Sequence, residues 1–491
     1  MAQLSFPARL RQLAAEAPDR PAVTCDDRSV TRAELVAAGD RLARDLAARG
    51  VGHGDFVTVA LPNSVDWFVT YVAVWALGAV PQPVSARLPA RELTAIVELA
   101  GSKVVVGVDP GSELAAGLPA GTECIPVGYE PAAGPSGGHA DEPLPDAVSP
   151  AWKAPTSGGS TGRPKLIVSG DPALIDPDAE PPRMLGRDGC IVVPGPLYHN
   201  GPAVWSCDAL LAGKHVVVLP RFDAEGTLAA IAEHRADVVY LVPTMMKRIL
   251  RLPDEVRLAY DLSSLQVVWH LAEPCPPWLK DAWIEWLGPE RIWELYAGTE
   301  AQAATIINGV EWLEHRGSVG RPVFGEISIR DVDGVELPAG EQGEVWMRSG
   351  RDTPTYRYLG AEAKELDGGW ESLGDVGWLD DDGYLYLGDR LQDMILTGGS
   401  NVYPAEVEAV LAEHPAVRSC AVIGLPDDDR GNIVHAIVEA DSAEVSADEL
   451  LAFAADRLVR YKLPRSVEFV SEPLRDDAGK VRRTALRAAR L

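Results

Sequence analysis

Cysteine is scarce and scattered in this 491-residue chain: Cys25, Cys124, Cys190, Cys207, Cys275 and Cys420 lie far apart. No C-x-x-C pair and no tight Cys/His spacing occurs, which excludes a disulfide framework and an ordinary structural zinc site. A reducing compartment, the cytoplasm, is the expectation. No segment approaches the ~20 apolar residues needed to span a bilayer, and the N-terminus has no uninterrupted apolar stretch, so no stable membrane insertion is expected. Positive charge is in deficit: 45 Lys and Arg face 72 Asp and Glu, for a net charge of −27. That balance argues against nucleic acid and anionic membrane as partners, since both reward clustered positive charge. The G-x-x-x-x-G-K-[ST] phosphate loop is also missing, because Pro164 separates Arg163 from Lys165 and no Ser or Thr follows the lysine.

What remains is the composition of a globular protein, 46% hydrophobic and 24% charged, long enough for about three compact units. Helix and strand signals alternate through the first half. "TRAELVAAGDRLARDLAARG" offers Thr31 as N-cap with Glu34 three residues on, while "DFVTVAL", "SKVVVGV", "KHVVVLP" and "DVVYLVP" read as buried strands. Such alternation predicts α/β architecture with helix-covered sheets. Residues 129–150, dense in Gly, Pro and acids, read as a surface connection. From about residue 325, short strands and Asp-Gly turns predict hairpins, and after Arg390 a compact unit begins with a helix opened by Pro404. The expected domains are therefore 1–390 and 391–491.

"TSGGSTGRPKLIV", residues 156–168, combines glycines, hydroxyls and a lysine ahead of an apolar run. Backbone amides approach an anion closely where side chains are small, so such a loop suits phosphate, although a flexible linker has the same composition. Three further segments follow in order: "ELYAGTE" (294–300), "SLGDVGWLDDDGYLYLGDRLQDMILTGGSNVYPAEVE" (372–408) and "DDAGKVRR" (476–483). Together the four segments resemble the superfamily of acyl-CoA synthetases, nonribosomal-peptide adenylation domains and luciferases, over nearly the whole chain. The resemblance implies a large N-terminal domain of mixed sheets with a distorted β-barrel subdomain, and a small mobile α+β C-terminal domain. It also implies activation of a carboxylate with ATP and Mg2+, giving an acyl-adenylate that then reacts with the thiol of CoA.

Carried over by position, the resemblance implies that Ser157, Gly158, Gly159, Ser160, Thr161, Gly162 and Lys165 wrap the phosphates. Ala272, Glu273, Tyr296, Ala297 and Gly298 would border the adenine, Thr299 would contact phosphate, and Glu300 would ligate Mg2+. Asp375 would accept from the ribose hydroxyls, as a carboxylate suits a vicinal diol, and Arg390 would reach the nucleotide from the hinge. Lys480 would bridge the substrate carboxylate and the α-phosphate, while Gly398 and Gly399 would let the pantetheine arm pass. "PGPLYHNGPAVW" and "YLVPTMMKRIL" match segments lining the acyl pocket, with His199 beside the reacting carboxylate.

The substrate implied is a bulky, ring-containing acid without an amine, since the aspartate that holds an amino group in amino-acid-activating relatives is not evident. An Ala-, Arg- and Gly-rich composition suits a high-GC bacterium and degradative or natural-product chemistry. Four positions depart from the usual pattern: Gly158 replaces a hydroxyl, Glu273 puts an acid near the purine and triphosphate, Ala297 replaces glycine, and Gln392 stands at the hinge. They leave open a ligase that performs the thioester step on a supplied acyl-adenylate, one that loads a carrier protein, and a silent nucleotide-binding protein. Cys275 reads as structural rather than nucleophilic.

Overall fold

A computed structural model of the chain describes residues 3–131, 144–158, 164–390, 393–397, 400–427, 431–441, 443–475 and 480–491. Most of the 129–150 connection, and Gly159, Ser160, Thr161, Gly162, Gln392, Gly398 and Gly399, lie outside the described residues.

The framework is a 14-stranded mixed sheet. Its parallel half runs in spatial order through Pro21–Cys25, His215–Val218, Cys190–Val193, Val238–Leu241, Val267–Leu271 and Ile292–Ala297. Three of these strands, Cys190–Val193, Val238–Leu241 and Val267–Leu271, are buried at every position, as β-branched runs covered on both faces must be. Beyond Ile292–Ala297 the pairing turns antiparallel, through Ala304–Asn308 and Ser318–Phe324 to Leu385–Arg390, Trp370–Leu379, Gly343–Arg348 and Glu326–Arg330. The strands expected to form a distorted β-barrel are thus an antiparallel continuation of the parallel sheet. The expected Asp-Gly hairpin joins Trp370–Leu379 to Leu385–Arg390, with Gly383 at φ +80°.

A second, four-stranded parallel sheet comprises Val80–Pro83, Phe56–Val59, Val104–Val106 and Glu123–Ile125. The helix Arg32–Ala48 begins with the capping box expected from Thr31 and Glu34. It packs on helix Val65–Ala76, buried at every position but Asp66, across Gly39, where a Cβ would lie 2.4 Å from Val72 Cγ1. Within the latter helix Trp67 stacks on Tyr71 at 3.7 Å, one turn apart.

From Ile395 onward the chain builds its own core. Helix Pro404–Glu413 buries Val407 and Leu411 against a three-stranded sheet of Ser419–Asp427, Gly431–Glu439 and Ser466–Val470. This unit is fastened to the rest at a helix end. Lys247 Nζ donates to the carbonyls of Ala412 (3.1 Å) and Val417 (3.4 Å), and Arg251 Nη2 to those of Val417 (2.6 Å) and Pro415 (3.4 Å). Cations suit this place because the last carbonyls of a helix have no partners within it and carry its negative dipole end.

Asn63, only 8% exposed, ties together loops remote in sequence. Its Nδ2 donates to the carbonyls of Gly195 (2.8 Å) and Leu219 (2.9 Å), and its Oδ1 accepts from the Leu197 amide (2.8 Å). Asn63→Leu strands these backbone groups away from water and should lower stability by about 3 kcal/mol in denaturant titration; a loss below about 1 kcal/mol would contradict this account.

Burial also keeps several histidines neutral. His199 is lowered from 6.5 to about 3 by desolvation, then by the charges of Lys480 and Arg482. His270 is lowered well below its ordinary value by burial and Lys280. Between these folded values and 6.5 the unfolded chain binds protons that the folded chain refuses, so stability falls as pH drops below about 6.5. The expected loss approaches about 1.4 kcal/mol per pH unit for each such group. Guanidinium midpoints at pH 7.5, 6.5 and 5.5 check this, and His199→Asn should give a shallower decline.

Candidate active site

Four neighbouring parallel strands deliver their C-terminal ends to one cavity of about 3710 Å³. Gly195, Tyr198 and His199 follow strand Cys190–Val193, and Val242–Thr244 follow Val238–Leu241. Ala272–Cys275 follow Val267–Leu271, and Ala297–Glu300 end and follow Ile292–Ala297. The carboxyl edge of a parallel sheet is where α/β folds place ligands, because the loops there diverge while the strands hold them in register. Lys480, Arg482 and Arg483 reach the same cavity from the C-terminal unit.

On one side the Tyr296 hydroxyl donates to Asp375 Oδ2 at 2.7 Å, and Asp375 pairs in register with Arg390 across two antiparallel strands. The sequence separates Tyr296 and Asp375 by 79 residues; the switch to antiparallel pairing brings them together. Next to Tyr296, Ala297 is exposed on the cavity side. Gly298 follows, where a Cβ would stand 2.3 Å from Leu373 Cδ1, so a larger residue would displace that side chain. Thr299 lies in the ensuing turn, lining the cavity, and Ala301 closes that turn with φ +56° and a 3.2 Å amide bond to the Gly298 carbonyl. Ala272, at φ +73°, is a second left-handed alanine on this rim. Such conformations cost about 1–3 kcal/mol and gather at functional sites.

Glu300 is 5% exposed. Its Oε1 accepts from the Tyr358 hydroxyl at 2.5 Å and lies 3.5 Å from Lys165 Nζ, which itself sits 3.9 Å over the Tyr358 ring. Strands Pro164–Ser169 and Tyr356–Leu359 pair antiparallel, and this sets Lys165 and Tyr358 side by side. Thr355 Oγ1 further fixes the Glu300 carbonyl at 2.8 Å. The loop leading into Lys165 is seen in backbone only at Ser157 and Gly158, which pair with Lys165 and Pro164. Lys165 and Glu300 are thus brought together, with Asp375 and Tyr296 lining the same cavity.

Glu273 lines the cavity and is held by hydrogen bonds. Its carboxylate accepts from the Thr244 amide (3.1 Å) and hydroxyl (2.9 Å), capping the helix Pro243–Leu250. Nothing in the sequence signals this, because Thr244 lies 29 residues upstream. Cys275 is partly buried, and burial pushes its thiol above the ordinary range, opposite to what a nucleophile requires.

His199 is the N-cap of helix Asn200–Ala212 and makes no side-chain capping bond. Its Nε2 is buried without a hydrogen-bond partner among the described residues, and its ring leans on Tyr198 at 4.3 Å. The charges of Lys480 and Arg482 are felt at this imidazole, so the C-terminal unit brings its lysine toward the His199 side of the cavity. Sequence reasoning missed two cations on the same wall, the buried Lys153 and the half-buried Arg183.

Among the described residues, no cluster of three or more His, Cys, Asp or Glu side chains is placed to hold a metal ion. Mg2+ in phosphate sites needs only one or two carboxylates, with phosphate oxygens and water completing the shell, and the single buried Glu300 fits that demand. No helix of the described residues is long and apolar enough to cross a membrane.

Comparison with known proteins agrees with this geometry. Residues 10–356 match the family model described as AMP-binding enzyme, and residues 406–480 match its C-terminal domain. The chain is 33% identical to the long-chain-fatty-acid–CoA ligase FadD13 of Mycobacterium tuberculosis, covering 97% of each. It is 31% identical, over 98% of each chain, to the 3-[(3aS,4S,7aS)-7a-methyl-1,5-dioxo-octahydro-1H-inden-4-yl]propanoyl:CoA ligase of Rhodococcus jostii. Among solved structures, the o-succinylbenzoate CoA synthetase of Bacillus subtilis in complex with its acyl-adenylate superposes with a TM-score of 0.80 at 25% identity, covering 99% of this chain and 98% of that one. The N-terminal model spans most of the chain and the C-terminal model follows it in order: the chain belongs to the AMP-binding enzymes.

Proposed function

We propose that this chain converts a bulky, non-amino carboxylic acid to its CoA thioester through an acyl-adenylate, as an AMP-forming acid–thiol ligase. The observation that carries the reading is the convergence of Lys480, from the C-terminal unit, on the cavity that holds His199, Asp375, Tyr296, Lys165 and Glu300. A carboxylate and a triphosphate repel each other, and oriented cations at their meeting point offset that repulsion where charge shifts during the reaction. We divide the chain at 390/391, since a separate core begins at Ile395.

In this reading Tyr296, Ala297 and Gly298 border the adenine, with Ala272 and Glu273 on the rim. Asp375 accepts from the ribose hydroxyls, and Arg390 approaches the nucleotide from the hinge. Thr299, Lys165 and the Ser157–Gly162 loop hold the phosphates. Glu300 would hold Mg2+, which when bound neutralises charge on the phosphate oxygens. Lys480 donates to both the substrate carboxylate and the α-phosphate, stabilising the negative charge between them. His199, neutral across physiological pH, closes the acyl side as an uncharged hydrogen-bonding group. The C-terminal unit then turns, withdrawing Lys480, and Gly398 and Gly399 line the approach of the CoA thiol.

The Rhodococcus relative named for a bicyclic propanoate supports a ring-containing acid. The relatives' names support CoA as the acceptor. Capping of Thr244 by Glu273 supports an intact adenylation step, because that carboxylate is already engaged. The six unpaired cysteines support a reducing, cytoplasmic setting.

Incubation with ATP, Mg2+ and a panel of cyclic and linear acids should release pyrophosphate, and adding CoA should give thioesters by mass spectrometry. Lys480→Ala should slow pyrophosphate release by about 100-fold or more, with thioester formation from supplied acyl-adenylate largely spared; equal loss of both steps contradicts the role given to Lys480. Glu273→Ala should lower stability by about 1 kcal/mol through loss of a helix cap and leave KM for ATP without improvement, which a repulsive acid would not do.

A further inference from the structure

Two cations line the wall of the cavity that helix Asn200–Ala212 forms, and neither belongs to the nucleotide site. Lys153, 9% exposed, donates from Nζ to Asn200 Oδ1 and lies 4.8 Å over the Trp152 ring. Among the described residues no carboxylate reaches ion-pair distance of it; Glu300 and Asp171 act on it at a distance. Arg183 donates to Asp208 on the same helix, with its guanidinium 4.8 Å over the Trp205 ring. Asn200 and Asp208 are two turns apart, about 12 Å along the axis, and Asn200 directly follows His199.

The chain takes an unfavourable path to place Arg183. Arg183 and Met184 both adopt φ +55°, and the Arg183 carbonyl is held by the Trp269 indole N–H at 2.9 Å. Buried cations are ordinarily matched by acids. Here two positive groups face one carboxylate, Asp208, and the partner of Lys153 is a neutral amide. Burial followed by the Arg183 charge lowers the ammonium from 10.5 to about 7, as expected of a cation without a counter-charge in contact. One negative charge is missing from this wall.

We propose that the wall carrying Lys153 and Arg183 is a second anion subsite of the acyl pocket and receives a second carboxylate on the substrate, so that the enzyme's preferred acids are dicarboxylic. This rests on the ligase reading above. The carboxylate beside His199 and Lys480 is activated, while the other is held along the helix, its charge supplying what Lys153 lacks. An alkyl terminus gives Lys153 no charge to pair with, so a monoacid gains nothing from this wall while the second carboxylate of a diacid gains an ion pair, and the diacid is preferred.

The test compares octanedioate with octanoate, and 3-(4-carboxycyclohexyl)propanoate with 3-cyclohexylpropanoate, as substrates of the full chain with ATP, Mg2+ and CoA. The diacid of at least one pair should have a kcat/KM at least about tenfold above its monoacid. Lys153→Met should abolish that advantage, chiefly through KM, while changing the monoacid less than threefold. Asn200→Asp, which keeps the size of the partner and supplies the missing charge internally, should erase the preference without unfolding the protein. Equal turnover of diacids and monoacids, or an equal fall for both in Lys153→Met, overturns the subsite and leaves the ligase reading standing. Absence of pyrophosphate and thioester from every acid overturns both.

Discussion

The contact on which the cavity depends is a set of hydrogen bonds from two cations, Lys247 and Arg251, to three backbone carbonyls at the end of one helix and in the loop after it. It fixes where the C-terminal unit sits, and therefore whether the charge of Lys480 reaches His199. The acceptors are neutral, so either side can be rehydrated on separation without leaving a buried carboxylate behind. Burial lowers Lys247 to about 8, which further eases removal of its charge from water. A contact of this kind defines an orientation while remaining exchangeable, as the proposed turn of the C-terminal unit requires.

Inside the cavity, positive charge is distributed according to task. Lys165 and Glu300 pair with one another, Lys480 is brought in from the C-terminal unit, and Lys153 stays against an uncharged partner. The overall charge of −27 gives no hint of this, because a polyanionic substrate is met by a few oriented cations in a low-dielectric enclosure, not by the net field.

Much of this was legible in the sequence. The Thr31 and Glu34 capping box, the buried strands and the Asp-Gly hairpin are local signals, and each formed where its chemistry required. The four ordered segments indicated the family and pointed to Tyr296, Asp375 and Glu300. Strand order was not legible: Pro21–Cys25 pairs with His215–Val218 nearly two hundred residues away, and no local pattern encodes that. Glu273 suggested repulsion near the triphosphate, yet its carboxylate caps Thr244, a partnership made only by the packing of two strand ends. Lys153 and Arg183 passed unnoticed because a lysine before a glycine-rich loop and an arginine between proline and methionine look solvated until the fold buries the first and half-buries the second.

Asn63 joins these themes. One amide holds Leu197 and Gly195, which lead directly to His199 and to the helix bearing Asn200 and Asp208, and ties them to the loop after the neighbouring strand. Substrate choice and thermal endurance therefore share a fastening. Redesign of the pocket through Pro196–Asn200 must preserve the donor and acceptor pattern at Asn63, or the altered enzyme will trade new specificity for a lower working temperature.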